Sequence, residues 1–379
     1  MGATNVIRTP LLAITLACSH AMAAVLPADR ADILYHAFDG GGAEITGPSV
    51  LVRKEVADTV SIYGNYYVDM VSSASIDVQA TASPYSEERT ETSVGIDYLN
   101  DKSVFSLSYT NSSEDDYEAQ TVSFGISQDF FGDLSTIGLG FSQGNDVVGN
   151  NTDDSFSQDT DHRRYNLSLT QILTKSLIAS AVFESVIDQG YLNNPYRSVR
   201  YQDASAGRGY SYEAELYPST RNSDALSLRA LYYLPYRAAL KLEYRHFSDS
   251  WGIIADSYEA RYTHPFANGW LMEFKYRAYE QSSADFYSDL FDFSEATNFR
   301  ARDKELSSFG SQTVGLGVSY EFKPGFIPQV NKSTLNLYWD HIQFNYDNFR
   351  DVTSDQLAGE EPLYSFDANV IRLYLSVWY

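Results

Sequence analysis

Apolar residues fall on every second position through most of this chain. Phe105, Leu107 and Tyr109 alternate with Ser106, Ser108 and Thr110. Val122, Phe124 and Ile126 alternate with Ser123, Gly125 and Ser127, and Ile137, Leu139 and Phe141 with Gly138, Gly140 and Ser142. Successive side chains of a strand point to opposite faces, so each run has one greasy face and one small, polar face. Such runs predict strands near 46–56, 59–71, 90–99, 103–111, 118–129, 134–143, 163–173 and 177–187. Seven more follow near 224–234, 237–247, 254–264, 270–279, 311–322, 332–345 and 369–379. A further strand from Ala31 to Phe38, turning through Asp39-Gly40-Gly41-Gly42, brings the set to 16, and the pattern is compatible with 14 to 18.

The connections alternate in length. Ala57-Asp58, Asn100-Asp101-Lys102, Phe131-Gly132-Asp133, Thr174-Lys175-Ser176, Leu234-Pro235-Tyr236 and Pro265 to Gly269 are tight, and carry residues that preset or tolerate turn geometry. Between them lie long polar stretches at 72–89, 112–117, 144–162, 188–223, 280–310 and 346–368. Short turns on one side and long loops on the other predict an all-β chain folded as an antiparallel transmembrane β-barrel, with periplasmic turns and external loops. Within 188–223, Tyr196 to Tyr201 and Tyr210 to Tyr217 leave two readings open, a pair of wall strands or a hairpin folded in from the wall.

No segment approaches 18 uninterrupted apolar residues, which excludes a helical membrane protein. Mean hydropathy is −0.31 despite 30 Tyr and 21 Phe. A barrel reconciles the two, since its polar interior offsets a thin apolar exterior bounded by aromatic girdles. Residues 1–23 read as a cleaved secretion signal: Arg8, the apolar run Leu11 to Ala17, then Ala21-Met22-Ala23 before a mature start at Ala24. Thr15-Leu16-Ala17-Cys18 lacks the Leu three residues before the Cys that a lipoprotein acceptor carries. With Cys18 removed, residues 24–379 form one domain with no disulfide, haem-attachment motif or thiolate metal site, and no cofactor is expected.

At the other end Ile371, Leu373, Leu375, Val377 and Tyr379 form one greasy face. A secreted chain closing on such a strand looks like a bacterial outer-membrane β-barrel, in which Leu373, Leu375, Val377 and Tyr379 are the signal for the barrel-assembly machinery. Its surroundings are then outer-membrane lipid and lipopolysaccharide. The net charge of −23 argues against a nucleic-acid partner.

The greasy-out pattern places charge inside. Leu226, Leu228 and Ala230 oppose Arg229; Leu240, Leu242 and Tyr244 oppose Lys241, Glu243 and Arg245. Tyr258, Ala260 and Tyr262 oppose Glu259 and Arg261, while Trp270, Met272, Phe274 and Tyr276 oppose Glu273, Lys275 and Arg277. A Lys or Arg facing lipid at the midplane costs about 2–4 kcal/mol, so these nine are expected to line the lumen as a two-sign lattice. Facing them, the Ser- and Gly-rich wall of 103–142 leaves room. A water-filled pore and a barrel plugged by its own ion pairs both fit that arrangement.

Other candidates carry less. His246, Asp249 and Ser250 are too close in sequence to signal a catalytic triad, so no catalytic residue is assigned. No histidine pair has metal-ligand spacing. Glu114-Asp115-Asp116, Asp153-Asp154 and Asp159-Thr160-Asp161 lack the spaced ligands of a calcium loop and read as solvated faces. Tyr63, Tyr66 and Tyr67 read as girdle residues in preference to an aromatic slide for sugars.

Three segments carry a resemblance to a known family. Val68 to Ser75 (Val-Asp-Met-Val-Ser-Ser-Ala-Ser), Ser113-Glu114-Asp115-Asp116-Tyr117 and Gly190 to Arg197 (Gly-Tyr-Leu-Asn-Asn-Pro-Tyr-Arg) resemble, in order, signatures of the bacterial family called domain of unknown function 3570. Ser-Ser-Ala-Ser stands where that family often has Ser-Gly-Ala-Ser. The resemblance implies an outer-membrane barrel and no activity. Three functions stay open: a porin-like channel for small polar solutes or ions, a sealed or sheath-type barrel holding a periplasmic or external protein partner such as a redox protein, and an outer-membrane enzyme.

Overall fold

The structure is a computed structural model that describes residues 25–73, 85–325 and 327–379. The leader read at 1–23 and Ala74-Ser75 of the first signature lie outside the described residues.

Eight strands build the first half of the wall: β1 (Arg30–Gly40), β2 (Ala43–Ala57), β3 (Val60–Ser73), β4 (Tyr85–Asn100), β5 (Ser103–Ser113), β6 (Tyr117–Phe130), β7 (Ser135–Val148) and β8 (Gln158–Thr174). β9 (Leu177–Gly190) follows, then a small hairpin, β10 (Ser198–Gln202) and β11 (Tyr210–Ala214). The wall resumes with β12 (Thr220–Tyr233), β13 (Ala239–Asp249), β14 (Ile254–Pro265), β15 (Trp270–Gln281), β16 (Phe309–Phe322), β17 (Lys332–Arg350) and β18 (Leu363–Trp378). Each wall strand pairs antiparallel with its chain neighbour. β1 closes the cylinder on β18, from Arg30 opposite Trp378 to Gly40 opposite Ala368, giving 16 strands, while β10 and β11 pair apart as a hairpin and not as wall strands. Closure removes the exposed edges an open sheet would present.

The alternation sets which face is which. Leu107 is 51% exposed and Leu139 55%, whereas Asp97 and Ser112, on inward positions of β4 and β5, are buried. Along β18, Ile371 and Leu373 are exposed, Leu375 and Val377 half-buried, and the Tyr379 hydroxyl donates to the Arg53 carbonyl at 3.0 Å.

Several strands run further outward than the sequence pattern suggests. β17 reaches Arg350 where an end near 345 was expected, β18 begins at Leu363 and not 369, and β8 at Gln158 and not 163. In these extensions the polarity of the two faces inverts. Gln343, Asn345, Ser365 and Asp367 face outward and are exposed, while Phe344, Tyr346, Tyr364 and Phe366 face inward. Lipid ends at that level, so the outer face turns polar while backbone pairing continues.

The outer loops pack on one another. Tyr217, Trp251, Ile253, Ala284, Ala301 and Leu306 form a buried cluster with Phe286 and Tyr287 beside it, joining three loops into a cap. The β10–β11 hairpin seats on the β15–β16 loop through Gln202 N to Phe291 O (2.8 Å) and Phe291 N to Arg200 O (2.9 Å).

Candidate functional site: the luminal lattice

Strand register brings the predicted charged residues into one lattice on the inner face of β12–β15. Arg229 Nε donates to Glu243 at 2.8 Å, and Lys241 Nζ lies 3.0 Å from Glu243 and 3.1 Å from Glu259. Arg261 continues the series, 3.2 Å from Glu259 and 3.0 Å from Glu273. Lys275 turns to β17, where Asp340 takes it at 2.7 Å and Arg372 at 2.8 Å. Arg245 reaches Glu184 at 3.2 Å across β12, and Arg164 approaches the same carboxylate at 3.6 Å. Arg221 donates to Asp249 at 2.7 Å near the outer rim.

Arg277 stands apart. By register it faces Glu259, but that carboxylate is engaged by Lys241 and Arg261. Its guanidinium lies 5.5 Å from the centre of the Tyr279 ring. Among the described residues no carboxylate pairs with it.

Glycines on β16 let the lattice reach across the strand. Lys275 and Asp340 meet directly over Gly315, and the Tyr338 ring lies over Gly317; a Cβ at either position would collide with these side chains. Such close approach is what the missing side chain permits.

Charge also occurs on a sector that sequence reasoning passed over. Arg53 pairs with Asp97, which also accepts from Ser106 at 2.6 Å, and Arg89 pairs with Glu91 at 2.9 Å. His36 contacts Asp69 at 2.7 Å and stacks on Tyr67, ring centres 5.0 Å apart. His162 sits between Asp146 (3.0 Å) and Asp188 (2.6 Å). Tyr63 and Tyr67 therefore face inward, Arg53 lying 4.5 Å over the Tyr63 ring; only Tyr66 is exposed on the outside as a girdle residue is. A period-2 count places all of these inside, and Asp340, Arg372, Glu184 and Arg164 likewise, so the signal was present in the strands and went unread.

The residues once weighed as a triad do not assemble. His246 pairs with Asp256 at 2.9 Å, Asp249 accepts from Trp251 N (3.0 Å) and Ile253 N (2.9 Å), and Ser250 Oγ accepts from Asn222 N (3.0 Å).

Above the lattice, the cap is held by groups distant in sequence. Arg200 is fully buried and pairs with the carboxylates of Asp289 and Glu361, also donating from Nε to the Asp289 carbonyl at 2.8 Å. Arg302 joins Asp289 at 3.0 Å and lies 4.4 Å over the Phe349 ring. Arg197 pairs with Asp303 at 2.6 Å. Burial alone would raise the Glu361 carboxyl, but Arg200 and the Gly359 amide hold it below its ordinary value.

A closed antiparallel 16-strand cylinder with an apolar exterior and a charged lumen is an outer-membrane β-barrel in class. The chain belongs to the family described as Protein of unknown function (DUF3570), whose profile matches residues 30–341. No curated protein matches it in sequence. Among solved structures it is similar to a bacterial polysaccharide outer membrane secretin, with TM-score 0.50 and 7% identity over 94% of this chain and 99% of that one. It is also similar to the outer membrane protein opdK from Pseudomonas aeruginosa, with TM-score 0.44 and 11% identity over 94% and 100%. At these identities the likeness concerns the fold.

Proposed function

We propose that this chain is a channel of the bacterial outer membrane that passes small polar solutes. The observation that carries the reading is Arg164. Its side chain faces the lumen beside Glu184 and is nevertheless 54% exposed, so this level of the barrel leaves space beside the wall. The field inside is set by charge of unlike balance on the two sides of the wall. Arg164, Arg221, Arg229, Lys241, Arg245, Arg261, Lys275, Arg277 and Arg372 are nine cations set among six carboxylates, Glu184, Asp249, Glu243, Glu259, Glu273 and Asp340. That surplus draws anions to this side, whereas the facing side sets Asp69, Glu91, Asp97, Asp146 and Asp188 against Arg53, Arg89, His36 and His162, so a solute crosses a field of two signs.

Planar-bilayer recording of the folded protein tests this. Discrete conductance is expected, with a reversal potential under a salt gradient that moves toward cation preference in the Arg245→Gln/Arg277→Gln variant. Silence from protein shown to be folded by heat-modifiable gel mobility would overturn the channel reading in favour of a sealed barrel.

A further inference from the structure

Arg277 sits at the foot of an aromatic strip. One row outward on the inner wall, register aligns Tyr279 on β15, Ser311 on β16, Phe344 on β17 and Phe366 on β18. Phe344 and Phe366 stack with ring centres 4.5 Å apart and planes 15° from parallel, and all three rings are half-buried, leaving part of each open. Between Tyr279 and Phe344 stands Phe309 of β16, its ring centre 5.6 Å from Tyr279 and 6.3 Å from Phe344, and Ser311 and Thr313 lie buried beneath. The result is a continuous strip of partly open rings with a guanidinium at its inner end. A guanidinium recognises a carboxylate through a planar two-point hydrogen bond, and among the described residues neither Glu259 nor any other carboxylate occupies that position. Aromatic faces meanwhile favour flat or apolar surface over hydrated groups.

We infer that Arg277 and the Tyr279–Phe344–Phe366 strip form a binding station for small organic carboxylates with a flat, apolar body, the carboxylate on Arg277 and the body along the rings. The station rests on the channel reading only for passage; binding itself needs no current. It sets the solute class more narrowly than wall charge alone, since a bare inorganic anion engages Arg277 and gains nothing from the strip.

Calorimetry on the detergent-solubilised full chain, with benzoate and acetate as probes, separates the two parts. Benzoate is expected to bind at least tenfold more tightly than acetate. Arg277→Gln should weaken benzoate at least tenfold, and Phe344→Leu should narrow the gap between the two probes while leaving acetate unchanged. Equal affinity for the two probes, or benzoate binding indifferent to Arg277→Gln, overturns the inference. If Arg277→Gln fails to fold, Arg277→Lys takes its place: it keeps the charge, loses the planar fork, and is expected to weaken benzoate severalfold. Bilayer recording of the same samples keeps the claims apart. Benzoate binding without conductance sinks the channel and supports the station, whereas conductance with no benzoate preference does the reverse.

Discussion

Lys275 Nζ lies 2.7 Å from Asp340 Oδ1, and the two side chains meet over the bare backbone of Gly315, which separates them on β16. Asp340 also holds Arg372 at 2.8 Å, so three wall strands besides β16 depend on that gap: β15, β17 and β18. Gly315→Val would place methyl groups where the ion pair sits. Overpacking of this kind costs about 1–3 kcal/mol. The urea midpoint of the folded barrel in detergent should fall accordingly, whereas Gly325→Val, where an added Cβ meets no atom of the other described residues within 4 Å, should leave it unchanged.

Arg200 is the deepest charge in the cap, with no exposure of its own and Glu361 only 2% exposed beside it. Arg200→Met leaves a buried carboxylate without its cation, an arrangement that costs about 3–5 kcal/mol. The hairpin should loosen from the loops around Asp289 and Glu361 while the wall stays closed. Limited proteolysis should then cut within 203–209 or 351–362 at a rate well above that of the parent, with heat-modifiable mobility unchanged. Adding Glu361→Leu should restore part of the resistance, because no unpaired carboxylate then remains at that position.

The wall was legible and the cap was not. Alternation such as Leu107-Ser108-Tyr109 is a local signal that repeats with each strand, and the tight turns punctuate it, so the strand number and the inward-facing charges of β12–β15 followed from the sequence. Arg200, Asp289, Arg302 and Glu361 share no period and stand up to 161 residues apart, so only the folded loops bring them together. Phe344 and Phe366 were hidden for a different reason. Period 2 assigns a side to each residue without saying which side is wet, and above the lipid the wet side changes. Which charges bond which was likewise open, because Lys275 opposes Gly315 by register and finds Asp340 one strand further on.

Glu215 gives the cap a pH dependence. The carboxyl is buried between the Arg302 amide, which donates to it at 2.7 Å, and the Tyr217 hydroxyl, with Asp303 and Arg197 nearby. Burial, then the Asp303 carboxylate, pushes it up to about 7, against the opposing pull of Arg197, Tyr217 and the Arg302 amide. A group raised in the folded state binds its proton more tightly there than in the unfolded chain. The stability it lends is therefore complete below the ordinary carboxyl value and is lost as pH rises through about 7. Amide protection factors across 282–308 should fall between pH 5 and pH 8, and Glu215→Gln should flatten that dependence. An unchanged slope in the variant would assign the effect to another group.

Leu373 lies on the outward face of β18, 44% exposed, between Leu335–Leu337 on β17 and Tyr35 on β1. That strand closes the cylinder, so a substitution there affects both contact with hydrocarbon and the final seam. Leu373→Arg should destabilise the barrel in liposomes by about 2–4 kcal/mol if the residue sits near the midplane, because the guanidinium must leave water or distort the bilayer to reach it. Arg372→Leu, one position away and facing the lumen, should cost less through the lipid and more through Asp340, which then keeps only Lys275. Urea titration of the two variants in the same vesicles distinguishes the faces. If Leu373→Arg is no more harmful than Arg372→Leu and assembles with equal yield, the outward side of this strand does not meet lipid and the assignment of inside and outside fails.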